Sequence, residues 1–318
     1  MESDGSEHAQ GEAVPMTQER DVAITALIPA YNEEKAIGRV IEDAKRYVQS
    51  VVVVDDGSSD GTVNVALSAG ATVLRHAKNL GYGSALATGF TYFRNNGGGI
   101  MIVLDGDGQH NPSDIPRLVK PVIDGQADVV IGSRFMDGEA KADMPRYRRF
   151  GIGVVNRAWK IASGEEVTDT QCGFRAYSRD AVEKMEIKET NMSASLEILN
   201  QAGAKNLRVV EVPVSVNYHG NSSSTEPGRH GMELINYVVR KLREEHPLLI
   251  FGGTGIALAF AGLVFGVVAL NSYFDTRYLP FGPTVLSGAL LYLGTLMVFG
   301  GLILNSIQTL ANRIEGRK

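Results

Sequence analysis

Ile100-Met101-Ile102-Val103-Leu104 runs directly into Asp105-Gly106-Asp107-Gly108-Gln109-His110. Five apolar residues ending in carboxylates read as a buried strand that delivers acidic side chains to the C-terminal edge of a sheet. Two aspartates separated by one glycine put two hard oxygens near one divalent cation, and such donors suit Mg²⁺ or Mn²⁺ on a substrate diphosphate. Asp-Gly twice over also describes a plain turn. A second stretch weighs against the plain turn. Val51-Val52-Val53-Val54 is followed by Asp55-Asp56-Gly57-Ser58-Ser59-Asp60-Gly61. Two buried strands that both end in paired carboxylates point to one acidic site at a sheet edge.

Working outward, residues 22–30 read as a first strand, and Tyr31-Asn32-Glu33-Glu34 as the start of a helix with Asn32 as its N-cap. Further strands are expected at 71–75, 127–131 and 207–216, with helices at 84–94, from Pro112 to Asp124, and at 193–204. This alternation predicts a mostly parallel α/β sheet with helices on both faces, whose ligands bind beyond the carboxyl ends of the strands. Gly81-Tyr82-Gly83 is a poor dinucleotide fingerprint. Leu86 stands at the third glycine position, and no strand leads directly into the motif. Residues 137–166 carry Arg146, Arg148 and Arg149 without a clear period, and 168–177 read as a turn or a short strand.

The single Cys172 excludes an intramolecular disulfide framework and fits a reducing compartment. A net charge of −5 gives no support to nucleic acid as a partner. Residues 1–20 hold five acids against one arginine and read as a disordered tail without the features of a signal peptide. The C-terminal third differs sharply. Leu248–Leu270 is 23 residues without a charge, and Val285–Leu304 is 20 more. Each is long enough to cross a hydrocarbon core of roughly 30 Å. They are expected as a membrane hairpin with helices at 248–270 and 284–306, followed by a tail at 307–318. Arg240, Lys241 and Arg243 precede the first span, and Arg313, Arg317 and Lys318 follow the second. The positive-inside rule then puts both ends of the hairpin and the bulk of the chain in the cytoplasm of a two-pass membrane protein. Residues 231–247, with Leu234, Ile235, Val238, Val239 and Leu242 opposite the three cations, read as an amphipathic helix in the headgroup plane.

Taken in order, several motifs resemble family 2 glycosyltransferases of the GT-A fold. They are Leu27-Ile-Pro-Ala-Tyr-Asn-Glu33, Val54-Asp-Asp-Gly-Ser-Ser-Asp-Gly61, Asn79-Leu-Gly-Tyr-Gly83, Asp105-Gly-Asp-Gly-Gln-His110, Gly132-Ser-Arg134 and Cys172-Gly-Phe-Arg175. More narrowly, they look like archaeal dolichyl-phosphate mannose or glucose synthases. The resemblance covers about residues 22–230, and the catalytic domain is expected over 21–230.

The resemblance implies a nucleotide-diphosphate sugar as donor, with Pro29, Tyr31 and Glu33 lining the nucleoside pocket and Asp55 and Asp56 reading base or ribose. Lys78 stands where a nucleotide contact or a solvated surface cation would be. Asp105, Asp107 and Gln109 would hold the Mg²⁺ or Mn²⁺ ion. Arg134 and Arg148, or its neighbour Arg149, match arginines that grip the phosphate of a dolichyl or other polyprenyl phosphate acceptor. Gly151 and Ile152 stand near the place of a serine often found after the second arginine. Arg175, Arg229 and His230 are candidates for a phosphate-covering loop. The implied activity is inverting transfer of a hexose, glucose or mannose, to the lipid phosphate, with membrane lipid as a further partner and a homo-oligomer compatible with the chain. A transferase that extends a lipid-linked glycan or polysaccharide, and a catalytically silent nucleotide-sugar-binding membrane protein, are the alternatives.

Overall fold

The computed structural model describes residues 22–96, 98–136, 146–163, 167–216 and 227–314. The expected acidic tail at 1–20 lies outside them, as do residues 217–226.

Seven strands form one sheet in the order β3-β2-β1-β4-β6-β5-β7. They are β1 (Ile24–Ala30), β2 (Ser50–Asp55), β3 (Thr72–Arg75), β4 (Ile100–Val103), β5 (Val129–Ser133), β6 (Arg175–Ser178) and β7 (Val209–Pro213). β1, β2, β3 and β4 run parallel, with Pro29 opposite Val54 and Leu27 opposite Val103. The near-continuous apolar content of β1, β2 and β4 follows from burial on both faces, and Ala26, Ile28, Val53, Val54, Met101 and Ile102 are fully buried, whereas the edge strand β3 is partly exposed. β6 alone reverses direction, pairing antiparallel with both β4 and β5. The stretch 168–177, read as a turn or a short strand, thus ends in an interior strand of the sheet.

Helices cover the sheet: α1 (Ile37–Ala44), α2 (Thr62–Ser68), α3 (Tyr82–Asn96), α4 (Ile115–Ile123), α5 (Arg146–Ser163), α6 (Arg179–Lys184) and α7 (Ala194–Ala204). α1 turns Ile37, Val40, Ile41 and Ala44 inward, as their spacing requires. Asn32 is not its N-cap. It takes a left-handed backbone at φ 56° four residues before the N-cap Ala36, and asparagine tolerates that region because its short polar side chain bonds locally.

α8 (Pro227–Glu245) packs on α5 and leads into two long apolar helices, α9 (Gly253–Thr276) and α10 (Phe281–Ile314). The segments Leu248–Thr276 and Phe281–Leu310 are 29 and 30 residues, long and apolar enough to cross a membrane. Helix consumes most of the expected connector, leaving a tight link in which Arg277 is left-handed at φ 61°. α8 departs from the expected two-faced pattern. Leu234, Tyr237, Val238 and Lys241 are buried, whereas Ile235 and Val239 are exposed. Lys241 points at the Trp159 ring, 4.8 Å from its centroid, and bonds Asn200, while Arg240 pairs with Glu189.

Candidate functional site at the carboxyl edge of the sheet

The loops after β1 and β2 are joined by hydrogen bonds. Asn32 N–H donates to Ser58 Oγ at 2.8 Å, Glu33 N–H to Thr62 Oγ1 at 2.8 Å, and Ser59 N–H to Asn32 Oδ1 at 2.9 Å. The left-handed turn at Asn32 aims its amide oxygen at the second loop, so Tyr31 and Glu33 are held at the edge. Tyr31 is exposed and Glu33 half-buried.

Asp55 and Asp56 are turned into the protein. Asp55 is fully buried, with Arg75 Nε 3.3 Å from its carboxylate. Asp56 accepts from His76 Nδ1 at 2.7 Å, Leu80 N–H at 2.9 Å and Gly81 N–H at 2.8 Å. Lys78 is exposed on the loop they hold. Gly81 and Gly83 have a local reason. A β-carbon at either would collide with the backbone of Glu189 or Thr190, and Gly83 N–H donates to Thr190 O at 2.9 Å. The motif seats a neighbouring segment and is no dinucleotide loop.

After β4 the backbone turns so that Gln109 N–H donates to Asp107 Oδ1 at 2.9 Å, with Gly108 at φ 75°. His110 Nδ1 lies 3.3 Å from Asp105 N and 3.7 Å from Asp105 Oδ2, and its Nε2 lies 3.9 Å from Cys172 Sγ. His110 is buried and stacked on Phe174 at 5.0 Å. Glu33 reports the field of this edge. Burial, then Asp107, Asp105 and Asp60, push its carboxyl up to about 7. Carboxylates this crowded favour a cation among them. The two aspartates and the Gln109 amide are the hard oxygen donors that Mg²⁺ or Mn²⁺ takes. Among the described residues no three His, Cys, Asp or Glu side chains cluster as a metal centre. A cation here would complete its shell with substrate oxygens or water.

Beyond β5, Arg134 is buried in a bidentate pair with Asp169, Nε to Oδ2 at 2.6 Å and Nη2 to Oδ1 at 2.8 Å. Asp169 and Thr168 are held in turn by Glu211, whose carboxylate accepts both backbone N–H groups at 2.9–3.0 Å. Neither Glu211 nor His76 stood out in the sequence. Glu211 is the middle residue of β7 and His76 follows the last residue of β3, and only the fold brings each to the groups it holds. Arg175 is 2% exposed and donates to the carbonyls of Cys172, Ser195 and Thr170. It staples that turn and is not a phosphate contact. The side chains of Arg148, Arg149, Arg229 and His230 lie outside the described residues; their backbones are in α5 and α8.

The profile of Glycosyl transferase family 2 matches residues 25–186. An uncharacterised protein of Methanocaldococcus jannaschii is 38% identical over 63% of this chain and 84% of its own. The UDP-N-acetylglucosamine–dolichyl-phosphate N-acetylglucosaminyltransferase of Methanococcus voltae is 29% identical over 62% of this chain and 87% of its own. The dolichol-phosphate mannosyltransferase of Pyrococcus furiosus is 29% identical over 70% and 64%. Among solved structures, glucosyl-3-phosphoglycerate synthase of Mycobacterium tuberculosis, crystallised with Mn²⁺, UDP and phosphoglyceric acid, superposes with a TM-score of 0.56 at 22% identity. That match covers 70% of this chain and 78% of the other. It shows a shared GT-A-like fold.

Proposed function

The chain belongs to glycosyl transferase family 2, and from that premise we propose that it moves a hexose from a nucleotide-diphosphate sugar to dolichyl or another polyprenyl phosphate, with inversion. The observation that carries this reading is one chain joining an acidic sheet edge, where Glu33, Asp105 and Asp107 crowd together, to two helices long and apolar enough to cross a membrane. The names of the relatives from Methanococcus voltae and Pyrococcus furiosus support a lipid phosphate as acceptor.

The donor's nucleoside sits among Pro29, Tyr31 and Glu33, with Asp55 and Asp56 shaping the loops around it and Lys78 at its phosphate side. Asp105, Asp107 and Gln109 hold a divalent cation, which when bound supplies positive charge to the departing diphosphate. Arg134 meets the acceptor phosphate with a guanidinium already oriented by Asp169. Arg148 and Arg229, at the starts of α5 and α8, add positive charge on the acceptor side. Guanidinium suits this task because it stays charged and donates in a planar fork.

The acceptor is its own nucleophile. A phosphate monoester has a second pKa of about 6 and is largely dianionic at neutral pH, so no side chain has to remove a proton. One acceptor oxygen attacks the anomeric carbon from the face opposite the diphosphate. The new C–O bond forms as the bond to the diphosphate oxygen breaks, and that oxygen leaves with the electron pair. An α-linked donor yields a β-linked lipid phosphate.

Arg240, Lys241 and Arg243 before the first span, and Arg313, Arg317 and Lys318 after the second, support a cytoplasmic catalytic domain. The exposed Ile235 and Val239 of α8 support contact with the membrane surface. The test supplies labelled UDP-glucose, GDP-mannose and UDP-N-acetylglucosamine in turn to membranes containing the full chain and polyprenyl phosphate. One donor should give a lipid-extractable, β-linked product. Label only in longer glycans would favour a chain-extending transferase, and an α-linked product would overturn inversion.

A further inference from the structure

We propose that His76 is a positioning residue for the donor nucleotide, acting through Asp56 on the loop that carries Lys78; this rests on the reading of the sheet edge as a nucleotide-sugar site. Three elements meet at the His76 ring. Its Nδ1 donates to Asp56 Oδ1 at 2.7 Å, and its Nε2 lies 2.9 Å from Thr88 Oγ1 on α3. Its own backbone N–H donates to Asp55 O at 2.9 Å. A carboxylate can only accept, so Nδ1 carries the proton shared with Asp56, and Nε2 shares a second hydrogen bond with the Thr88 hydroxyl. The His76 and Asp56 side chains are 11% and 5% exposed, so water competes little for these bonds.

Asp56 passes this anchoring on. Its Oδ1 also accepts Leu80 N–H and its Oδ2 accepts Gly81 N–H. Among the described residues His76 is the one side chain that donates to Asp56. The two remaining donors belong to the loop itself. Without the imidazole, the carboxylate keeps only the two backbone donors of the segment it holds, and that segment loses the link that runs through His76 to Thr88 on α3. Lys78, three residues before Gly81, would then be poorly placed for a nucleotide phosphate. The loss falls on nucleotide affinity and not on the transfer step, because the groups assigned to chemistry lie after β4 and β5.

The two ring nitrogens allow the tie to be dissected. Asparagine puts an N–H where His76 Nδ1 stands but cannot reach Thr88, whereas alanine removes both bonds. The experiment uses the full chain in detergent micelles with Mn²⁺ present. It measures calorimetric binding of UDP and of GDP, alongside hydrogen exchange at Leu80 and Gly81. For whichever nucleotide the wild type binds, His76→Ala should raise Kd about 10-fold, the scale of one lost buried hydrogen bond. It should also accelerate exchange at both amides. His76→Asn should recover most of the affinity and protection, and turnover at saturating donor should change much less than KM. Unchanged affinity and exchange in His76→Ala would overturn the inference alone. Equal losses in kcat and KM, or no recovery in a folded His76→Asn, would also overturn it. Binding of neither nucleotide by the wild-type chain would overturn the underlying reading, and the inference with it.

Discussion

Gly173 clears the space that the Asp105 carboxylate occupies: a β-carbon at position 173 would stand 2.7 Å from Oδ1 and 2.8 Å from Oδ2. The Cys172-Gly173-Phe174-Arg175 turn is therefore part of the acidic edge although it contributes no ligand. Gly173→Ala should push the carboxylate aside at modest cost to stability, about 1 kcal/mol, because the group that moves is the end of a side chain. Activity should fall much further, by about 100-fold, since a misplaced carboxylate would weaken the hold on the proposed cation. Steady-state rates and thermal unfolding of the variant check this. A fully active Gly173→Ala enzyme would remove Asp105 from the site.

Metal dependence follows from the donor set. Excess EDTA should abolish transfer and added Mn²⁺ or Mg²⁺ should restore it. Asp107→Ala should lower turnover by roughly 100-fold or more with the fold intact. Full activity of Asp107→Ala in EDTA would remove the cation from the reaction.

Glu33 makes a separate, pH-dependent prediction. Its carboxyl is raised from 4.5 to about 7 in the folded protein, first by burial and then by Asp107 and Asp105. Between these values the unfolded chain has released the proton and the folded chain still binds it. The stability contributed by Glu33 is therefore complete below pH 4.5 and lost as pH rises through 7. Glu33→Gln removes that loss. Without ligands the variant should exceed the wild type at pH 8 by about 1 kcal/mol, a value reduced for solvent screening at a half-exposed site. The difference should vanish below pH 4.5 in denaturant titrations, while nucleotide-sugar binding at pH 8 weakens.

The parallel strands and the acidic edge were legible because burial on both faces writes itself as Val51–Val54 and Ile100–Leu104, with the carboxylates following at once. The apolar hairpin was legible from the length of its two uncharged runs. What escaped depends on long-range packing. Arg175 resembles a ligand-binding arginine in sequence, yet three backbone carbonyls from two segments converge on it. Lys241 reads as a surface cation, but Trp159, 82 positions earlier, supplies the ring that covers it. Asn32 carries the signature of a helix cap and spends its side chain on Ser59, in a loop that folding brings alongside.

Cys172 should be inert in the native protein. It is 1% exposed, and burial, with Asp169 next, pushes its thiol from 9 up to about 12. The thiolate is the reactive form, so Ellman's reagent at pH 8 should label the chain only after denaturation, with one thiol per molecule. The raised value also has a stability sign. The contribution is intact below pH 9 and lost between 9 and 12, where only the unfolded chain ionises. Cys172→Ser should flatten that alkaline decline, and rapid labelling of the native protein would contradict the buried position.

Arg134 presents the hardest separation, because its proposed grip on phosphate and its pairing with Asp169 use the same guanidinium. The pair is buried, Arg134 at 6% and Asp169 at 0% exposed. Removing the arginine alone strands a carboxylate, at a cost of about 3–5 kcal/mol. Arg134→Ala would then lose activity for a reason unrelated to the acceptor. The double variant Arg134→Ala/Asp169→Asn removes the stranded charge and should recover most of the stability. If Arg134 meets the lipid phosphate, the double variant should still require a raised concentration of polyprenyl phosphate, by about 10-fold or more, the scale of a lost charged hydrogen bond, with donor KM little changed. Arg134→Lys with Asp169 intact should stand between, since an ammonium keeps the charge but loses the planar fork. Titration of acceptor and donor separately, alongside denaturant melts, decides the matter. Recovery of acceptor affinity together with stability in the double variant would leave Arg134 a structural partner of Asp169 and move the phosphate grip to the arginines of α5 and α8.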